Sequence, residues 1–283
     1  MLFFGEIYAD RGETGRKRRT ELLEDIQMNS LWLAAIVWAV VFTGGAIGLQ
    51  LQRLLPEGYT TSGARDMIGA VTGLVTLLLA LVLGLLIWTA FGVYSTQKTS
   101  IQTTSLYDLK FDAALDEFGP EAAEGRKILG SGIERTINQV WAGAHDADFV
   151  TKNYRSALSS LKEREAFLNS LQPSSDKQKA AKTEALQDAS AIGQARLQMA
   201  LALVDPVNFP LLCIVVAWAT CLFCGYGLQS KAHPMSYVAL AVGALAVASA
   251  LEVIVDLSDP YSGFFQVSPH PLIEVLKTIR EAR

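Results

Sequence analysis

Long apolar runs alternate with long polar stretches along this chain, and four of the runs set its organisation. They are about Leu31–Leu51, Met67–Tyr94, Val207–Leu228 and Ser236–Leu257. Each is close to the ~20 residues that a helix needs to cross a bilayer, and no other stretch approaches that length. The second run is the most complete, with no charged residue from Met67 to Val93. A helix of that length rises about 40 Å, enough to cross roughly 30 Å of hydrocarbon with some tilt. No breaker follows it, so the pattern predicts polar helical turns through Tyr94–Thr99 and on to Phe118.

Small residues mark two of these runs. Gly69, Gly73, Thr76, Ala80 and Gly84 fall at steps of four and three and share one stripe of the second helix. The first run carries Gly44, Gly45 and Gly48 with a G-x-x-x-G step. In lipid, helix association rests on close packing, and such stripes let backbones approach. For the second run the stripe fits a well-packed membrane helix or one that lines a pore.

The stretch 95–206 reads as helices, with little β-pattern. The extension of the second run stops at Gly119-Pro120, a pair suited to a helix end and to the first turn of the next helix. Glu121 and Glu124 fall in that first turn, where carboxylates favour the helix dipole. The helix reaches about Val140–Trp141, and Gly143–Asp148 breaks it. A charge-laced helix follows over about Asp148–Leu171, then a turn with capping residues at Gln172–Asp176. The last helix of the stretch, Asp176–Val204, lines up Leu186, Ala189, Gly193, Leu197, Ala200 and Val204.

Composition agrees with an integral membrane class. The chain has 283 residues, 51% hydrophobic and 18% charged, against the roughly 25% charge typical of soluble domains. A net charge of −4 lacks the basic face of a nucleic-acid binder, so no nucleic-acid partner is expected. The three cysteines (Cys213, Cys221, Cys224) crowd into one apolar run and build no disulfide framework. Cys221-x-x-Cys224 has metal or redox spacing, but without His or carboxylate neighbours it reads as part of a membrane helix.

Lys and Arg set the orientation. The 95–206 stretch holds thirteen of them and residues 1–29 five, while the 52–66 loop has Arg53 and Arg65 and the 229–235 loop has Lys231 alone. The positive-inside rule places both termini and the middle stretch in the cytoplasm. The expected order is an N-terminal extension over 1–29, membrane helices over 30–94, a cytoplasmic helical domain over 95–206, membrane helices over 207–257 and a cytoplasmic tail over 258–283. Met28 is an alternative start of translation, and without the basic run Arg16–Arg19 the remaining charges still point the same way. The fold class is all-α.

No catalytic constellation stands out, and no enzyme activity, cofactor or metal site is expected. His145, His233 and His270 lie in separate loops or termini, and His145 with Asp146 and Asp148 reads as a solvated turn. The end of the fourth run is more informative. Glu252 and Asp256 share a helix face, and Asp259 follows. Ionisable groups in a span usually face a bundle interior, a partner or water. They form either the carboxylate-lined inner mouth of a pore or a solvated set paired with Lys98 or Arg196. The polar run Ser95–Ser105 is open to two readings in the same way, a hydrated vestibule or a solvated outer face.

Met28-Asn29, Leu55-Pro56, Arg65-Asp66, Ala80–Leu86, Tyr94-x-Thr96-Gln97, Phe118–Ala122 with Glu124, and Pro260–Ser268 occur in this order. Through them the chain resembles the bestrophin-like domain family of bacterial membrane proteins. The resemblance implies kinship with bestrophins, which are oligomeric chloride channels with four membrane helices per subunit, cytoplasmic termini and a pore lined by the second helix. One departure is Ser258-Asp259-Pro260, where the family pattern has Asp-Arg-Pro, an acidic residue in place of a basic one. The expectation is a homo-oligomeric ion channel of the bacterial inner membrane, with chloride as the implied permeant ion. Its pore-facing candidates are Gly73, Thr76, Ala80 and Leu83, Leu83 being the hydrophobic constriction. Glu252, Asp256 and Asp259 are the inner-mouth candidates, and their acidity suits a cation better than an anion. The alternative is a non-conducting membrane scaffold or sensor whose cytoplasmic helices bind a partner.

Overall fold

A computed structural model describes residues 31–54, 62–141, 149–203, 209–230, 233–261 and 263–281. The expectations placed on 1–30, Leu55-Pro56 and His145–Asp148 lie outside these residues. The described residues are largely helical, with no strand among them. The helices are α1 (Leu31–Leu54), α2 (Ser62–Phe118), α3 (Ala123–Trp141), α4 (Phe149–Ser170), α5 (Asp176–Leu201), α6 (Phe209–Gln229), α7 (Pro234–Ser258) and α8 (His270–Glu281). They sort into two compact units. One holds α1, α2 up to Gly92, α6 and α7; the other holds α2 from Val93, then α3, α4, α5 and the chain from Asp259 through α8.

In the first unit, α1, α2, α6 and α7 are each long and apolar enough to cross a membrane. Glycine decides how α1 meets its neighbours. A Cβ at Gly48 would overlap the Cys224 backbone, and one at Gly227 would overlap the Gly45 carbonyl. At Gly44 it would lie 2.5 Å from Thr220 Cγ2. The G-x-x-x-G face of α1 therefore receives α6 at backbone distance, as close packing in lipid requires. Trp38 donates its indole N–H to the Ala241 carbonyl of α7 at 3.0 Å, and Phe223 of α6 covers Gly243 of α7. Leu77, Leu81, Trp88, Val242 and Leu245 stay exposed, an apolar exterior fit for hydrocarbon.

The second unit has an ordinary interior. Phe111, Leu115 and Phe118 of α2 meet Leu129 and Ile133 of α3, Leu168 of α4, Ile192 of α5 and Leu272 and Ile279 of α8 in one buried cluster. The expected stop of α2 occurs at Phe118. Gly119 has φ of 115°, in the left-handed region that side chains avoid, and Pro120 opens a 3₁₀ turn over Pro120–Ala122. Gln178 Nε2 donates to the freed Phe118 carbonyl at 2.9 Å. The turn before α5 caps as its sequence suggests: Ser175 Oγ accepts from the Gln178 N–H, and Gln178 Oε1 accepts from the Ser174 N–H.

One element was not anticipated. The stretch after 258, read as a tail, contains α8. Pro271 suits its first turn, and Leu272, Val275 and Ile279 recur at helical spacing and are buried. Twelve residues are too few for such a pattern to stand out without the α3 surface it covers, where Leu276 lies against Gly130.

Gly48→Leu is expected to lower thermal stability in detergent by about 1–3 kcal/mol or more, the usual size of overpacking. Gly84→Ala is the control, because a Cβ there meets nothing within 4 Å. Tryptophan fluorescence during heating checks both, and equal melting of the two variants would contradict the α1–α6 contact.

Candidate functional site

Of the four apolar helices α2 is the least covered by its own chain: 17% of its most apolar window is buried, against 28% for each of the others. Its cover comes on one side. Thr72, Leu79, Leu86 and Ala90 are buried. Thr72 and Thr76 both donate to carbonyls one turn back, at 2.7 Å each. Thr76 Oγ1 also lies 2.8 Å from the Tyr226 hydroxyl of α6. Gln229 Nε2 is shared between Thr72 Oγ1 at 3.3 Å and the Gly225 carbonyl at 3.2 Å. Tyr226 also borders a cleft of about 530 Å³ lined by Phe223, Ser230 and Met235.

The four pore-facing candidates divide. Thr76 and Leu83 are half-buried at the margin of the covered side, and Thr76 is engaged with Tyr226. Gly73 and Ala80 are exposed, and a Cβ at Gly73 or Gly84 would meet nothing within 4 Å. The small-residue stripe runs along the border between the α6 contact and open space. The backbone at Gly73 and Gly84 is therefore accessible to another helix or to a lumen.

On α7, Glu252 is half-buried and Asp256 is 7% exposed. Asp259, half-buried, begins the last segment of the second unit. Arg196, weighed as a partner for these carboxylates, lies buried in the second unit with Nη2 3.5 Å from Ser156 Oγ.

The polar run on α2 resolves into two faces. Thr96, Lys98, Thr99 and Gln102 are exposed, whereas Gln97, Ser100, Thr104 and Ser105 are buried. Gln97 is fully enclosed. Its Nε2 donates to the Met199 carbonyl at 2.8 Å, and its Oε1 accepts from the Tyr261 hydroxyl at 2.6 Å. Tyr261 packs edge-on against Trp141 and Phe149. Burial pushes its hydroxyl above the ordinary phenol range, and the Asp259 charge adds to that. Gln97 and Tyr261 each belong to a motif that carried the family resemblance, and the hydrogen bond between them gives both a physical reason.

One turn past Thr104 the inner face of α2 presents Asp108, 1% exposed. Arg164 of α4 is 4% exposed, with Nη1 3.8 Å from Asp108 Oδ1. Burial raises the Asp108 carboxyl to about 6, against the pull of Arg164 and Arg196. It brings Arg196 down to about 10, helped by Arg164 and opposed by Asp108. Arg164 is lowered by burial, with Asp108 opposing. Burial thus works against the charge of all three groups, and two guanidinium groups act on one carboxyl. Sequence reading passed over this group. Its signal was present: 97, 101, 104, 108, 111 and 115 follow helical spacing, and Asp108 falls between Ile101 and the apolar pair Phe111 and Leu115.

A family model described as the bestrophin-like domain matches residues 37–272. No curated protein matches the chain. Among solved structures, an isoleucine-to-threonine mutant of a bacterial bestrophin homologue from Klebsiella pneumoniae superposes with a TM-score of 0.62 at 12% identity, covering 87% of this chain and 97% of that one. A leucine-to-threonine mutant of a bacterial bestrophin homologue from the same organism gives 0.60 at 14% identity, over 88% and 96%. A proline-to-alanine mutant described only as a membrane protein gives 0.60 at 14%, over 87% and 96%. At these identities the likeness speaks for the fold.

The raised Asp108 carboxyl sets a pH dependence. Above about pH 6 the folded chain holds the charge against burial. As pH falls from 6 towards the ordinary 3.8, the folded state takes up the proton before the unfolded state does. This group's contribution is therefore fullest below 3.8 and is lost as pH rises through 6, an effect of up to about 3 kcal/mol. Between pH 7 and 5 the wild type is expected to gain stability relative to Asp108→Asn. Parallel melting profiles of the two proteins would refute a raised Asp108.

Proposed function

This chain belongs to the bestrophin-like domain family, and from that premise we propose that it is the subunit of a homo-oligomeric ion channel. α2 lines the axis of the assembly, with Gly73, Thr76, Ala80 and Leu83 towards the lumen. The observation that carries this reading is the thin cover of α2, together with the open space at Gly73 and Gly84. A helix left so bare by its own chain is suited to neighbouring copies on its flanks and water along its small residues. Thr76 and Tyr226 supply hydroxyls beside that strip. Leu83, one turn beyond Ala80, is the apolar ring that closes by dewetting.

Glu252, Asp256 and Asp259 stand at the cytoplasmic mouth, and the basic-rich helices of the second unit lie on the cytoplasmic side. Kinship favours an anion as the permeant ion, while three carboxylates at the mouth favour cations. Reversal potentials in asymmetric salt decide between them. Neutralising Glu252 and Asp256 together shifts selectivity towards anions if they face the path.

Two expected outcomes test the reading. In reconstituted bilayers Thr76→Trp reduces unitary current, and Leu83→Ala passes current under conditions where the wild type is closed. A preparation that never conducts, with neither variant changing that, removes the channel reading. For orientation, Lys177→Cys, at an exposed position in the first turn of α5, resists a membrane-impermeant maleimide in intact cells and reacts after permeabilisation. Labelling of intact cells overturns the cytoplasmic placement.

A further inference from the structure

Two arginines of the second unit each turn towards an aspartate of α2, and they do so differently. Arg126 sets Nε and Nη2 against the two oxygens of Asp112, each at 2.8 Å. That is the side-on, two-point pairing of guanidinium with carboxylate. Arg164 meets α2 with Nη1, and its 3.8 Å to Asp108 Oδ1 is beyond hydrogen-bond reach. Its Nε and Nη2, the edge that Arg126 fills with Asp112, have no hydrogen-bond partner among the described residues, although Arg164 is 4% exposed.

Among the described residues one buried carboxylate, Asp108, stands near Arg164 and Arg196, and its Oδ1 also lacks a hydrogen-bond partner. Arg196 is 7% exposed, and its Nη2 has Ser156 Oγ at 3.5 Å. The charges of Arg164 and Arg196 act on one another and on Asp108, the carboxylate buried with them. Glu163 and Arg135 also act on Arg164, but they pair with each other at 2.7 Å. Thr104 Oγ1, one turn before Asp108 on the same face of α2, is buried and also lacks a partner among the described residues. Buried donors left unmade are costly, most of all charged ones. A water molecule would satisfy the donors and leave the surplus positive charge. An anion answers both, and two parallel N–H groups select two oxygens in a plane over a sphere.

We propose that the buried Nε/Nη2 edge of Arg164, beside Arg196, is a binding site for a small planar monovalent oxyanion of the formate or nitrate shape. The site lies within the second unit, and its occupancy does not depend on whether the protein conducts.

The test is equilibrium dialysis of the full chain in detergent against radiolabelled formate at fixed ionic strength, with nitrate and chloride as competitors. Saturable binding is expected at one formate per chain, with nitrate displacing it and chloride about tenfold less effective. Arg164→Lys keeps the charge but loses the fork, and weakens formate about tenfold or more. Asp108→Asn removes the competing carboxylate and tightens it. Thr76→Trp, on the first unit's part of α2, leaves it unchanged. No saturable binding to the wild type overturns the proposal, as does undiminished binding to Arg164→Lys or displacement by chloride as readily as by nitrate. Should Arg164→Lys not fold, the wild-type competition series decides alone.

Discussion

Inside hydrocarbon a backbone amide finds no water, so each crossing segment must close its own hydrogen bonds as a helix. α2 is long and apolar enough to meet this demand, and its helix does not stop where the apolar run does. It remains one helix through Val93, where the apolar run finishes, to Phe118. The same rod therefore obeys two sets of packing rules in turn. Over its first half the cover is thin and includes the Tyr226 hydroxyl and the Gln229 amide beside Thr76 and Thr72; over its second half it is the large side chains gathered around Phe111, Leu115 and Phe118. No break in helical geometry marks the change, only a change in which side chains are covered.

In the first unit the interior is held by shape. Between α1 and α6, Gly44, Gly48 and Gly227 leave room for nothing larger, since lipid offers apolar side chains no reward for leaving it. The second unit has a core of large side chains that also carries polar groups. Gln97 is satisfied by Met199 and Tyr261, whereas Asp108 Oδ1 and the Nε and Nη2 of Arg164 lack hydrogen-bond partners among the described residues. A buried ion pair with incomplete hydrogen bonding contributes little to stability, because removing both charges from water offsets their attraction. The arrangement is more easily understood as a place for something charged than as a brace.

What was legible in the sequence follows from the range of the interactions. The four apolar runs are set by composition over some twenty positions, and the apolar helices found there cover them closely, α2 alone running on well beyond. Gly119-Pro120 stops α2 for local reasons, so its position could be read directly. α8 could not, because its apolar stripe has meaning only against α3. The Gln97–Tyr261 bond joins residues 164 apart in sequence, and the buried charges come from three separate helices. No single stretch contains either. The division of Gly73, Thr76, Ala80 and Leu83 was also hidden, since spacing defines a stripe but not which neighbour covers its edge.

Gln97 and Asp108 are two polar stations on one inner face of α2, about three turns apart. The first is closed by a phenol whose ionisation is driven well beyond physiological pH, so its proton stays in place. The second changes charge near pH 6. Mild acid therefore rewrites the electrostatics at one point of this rod and leaves the other untouched, which makes the helix a ruler along which a proton's arrival can be located.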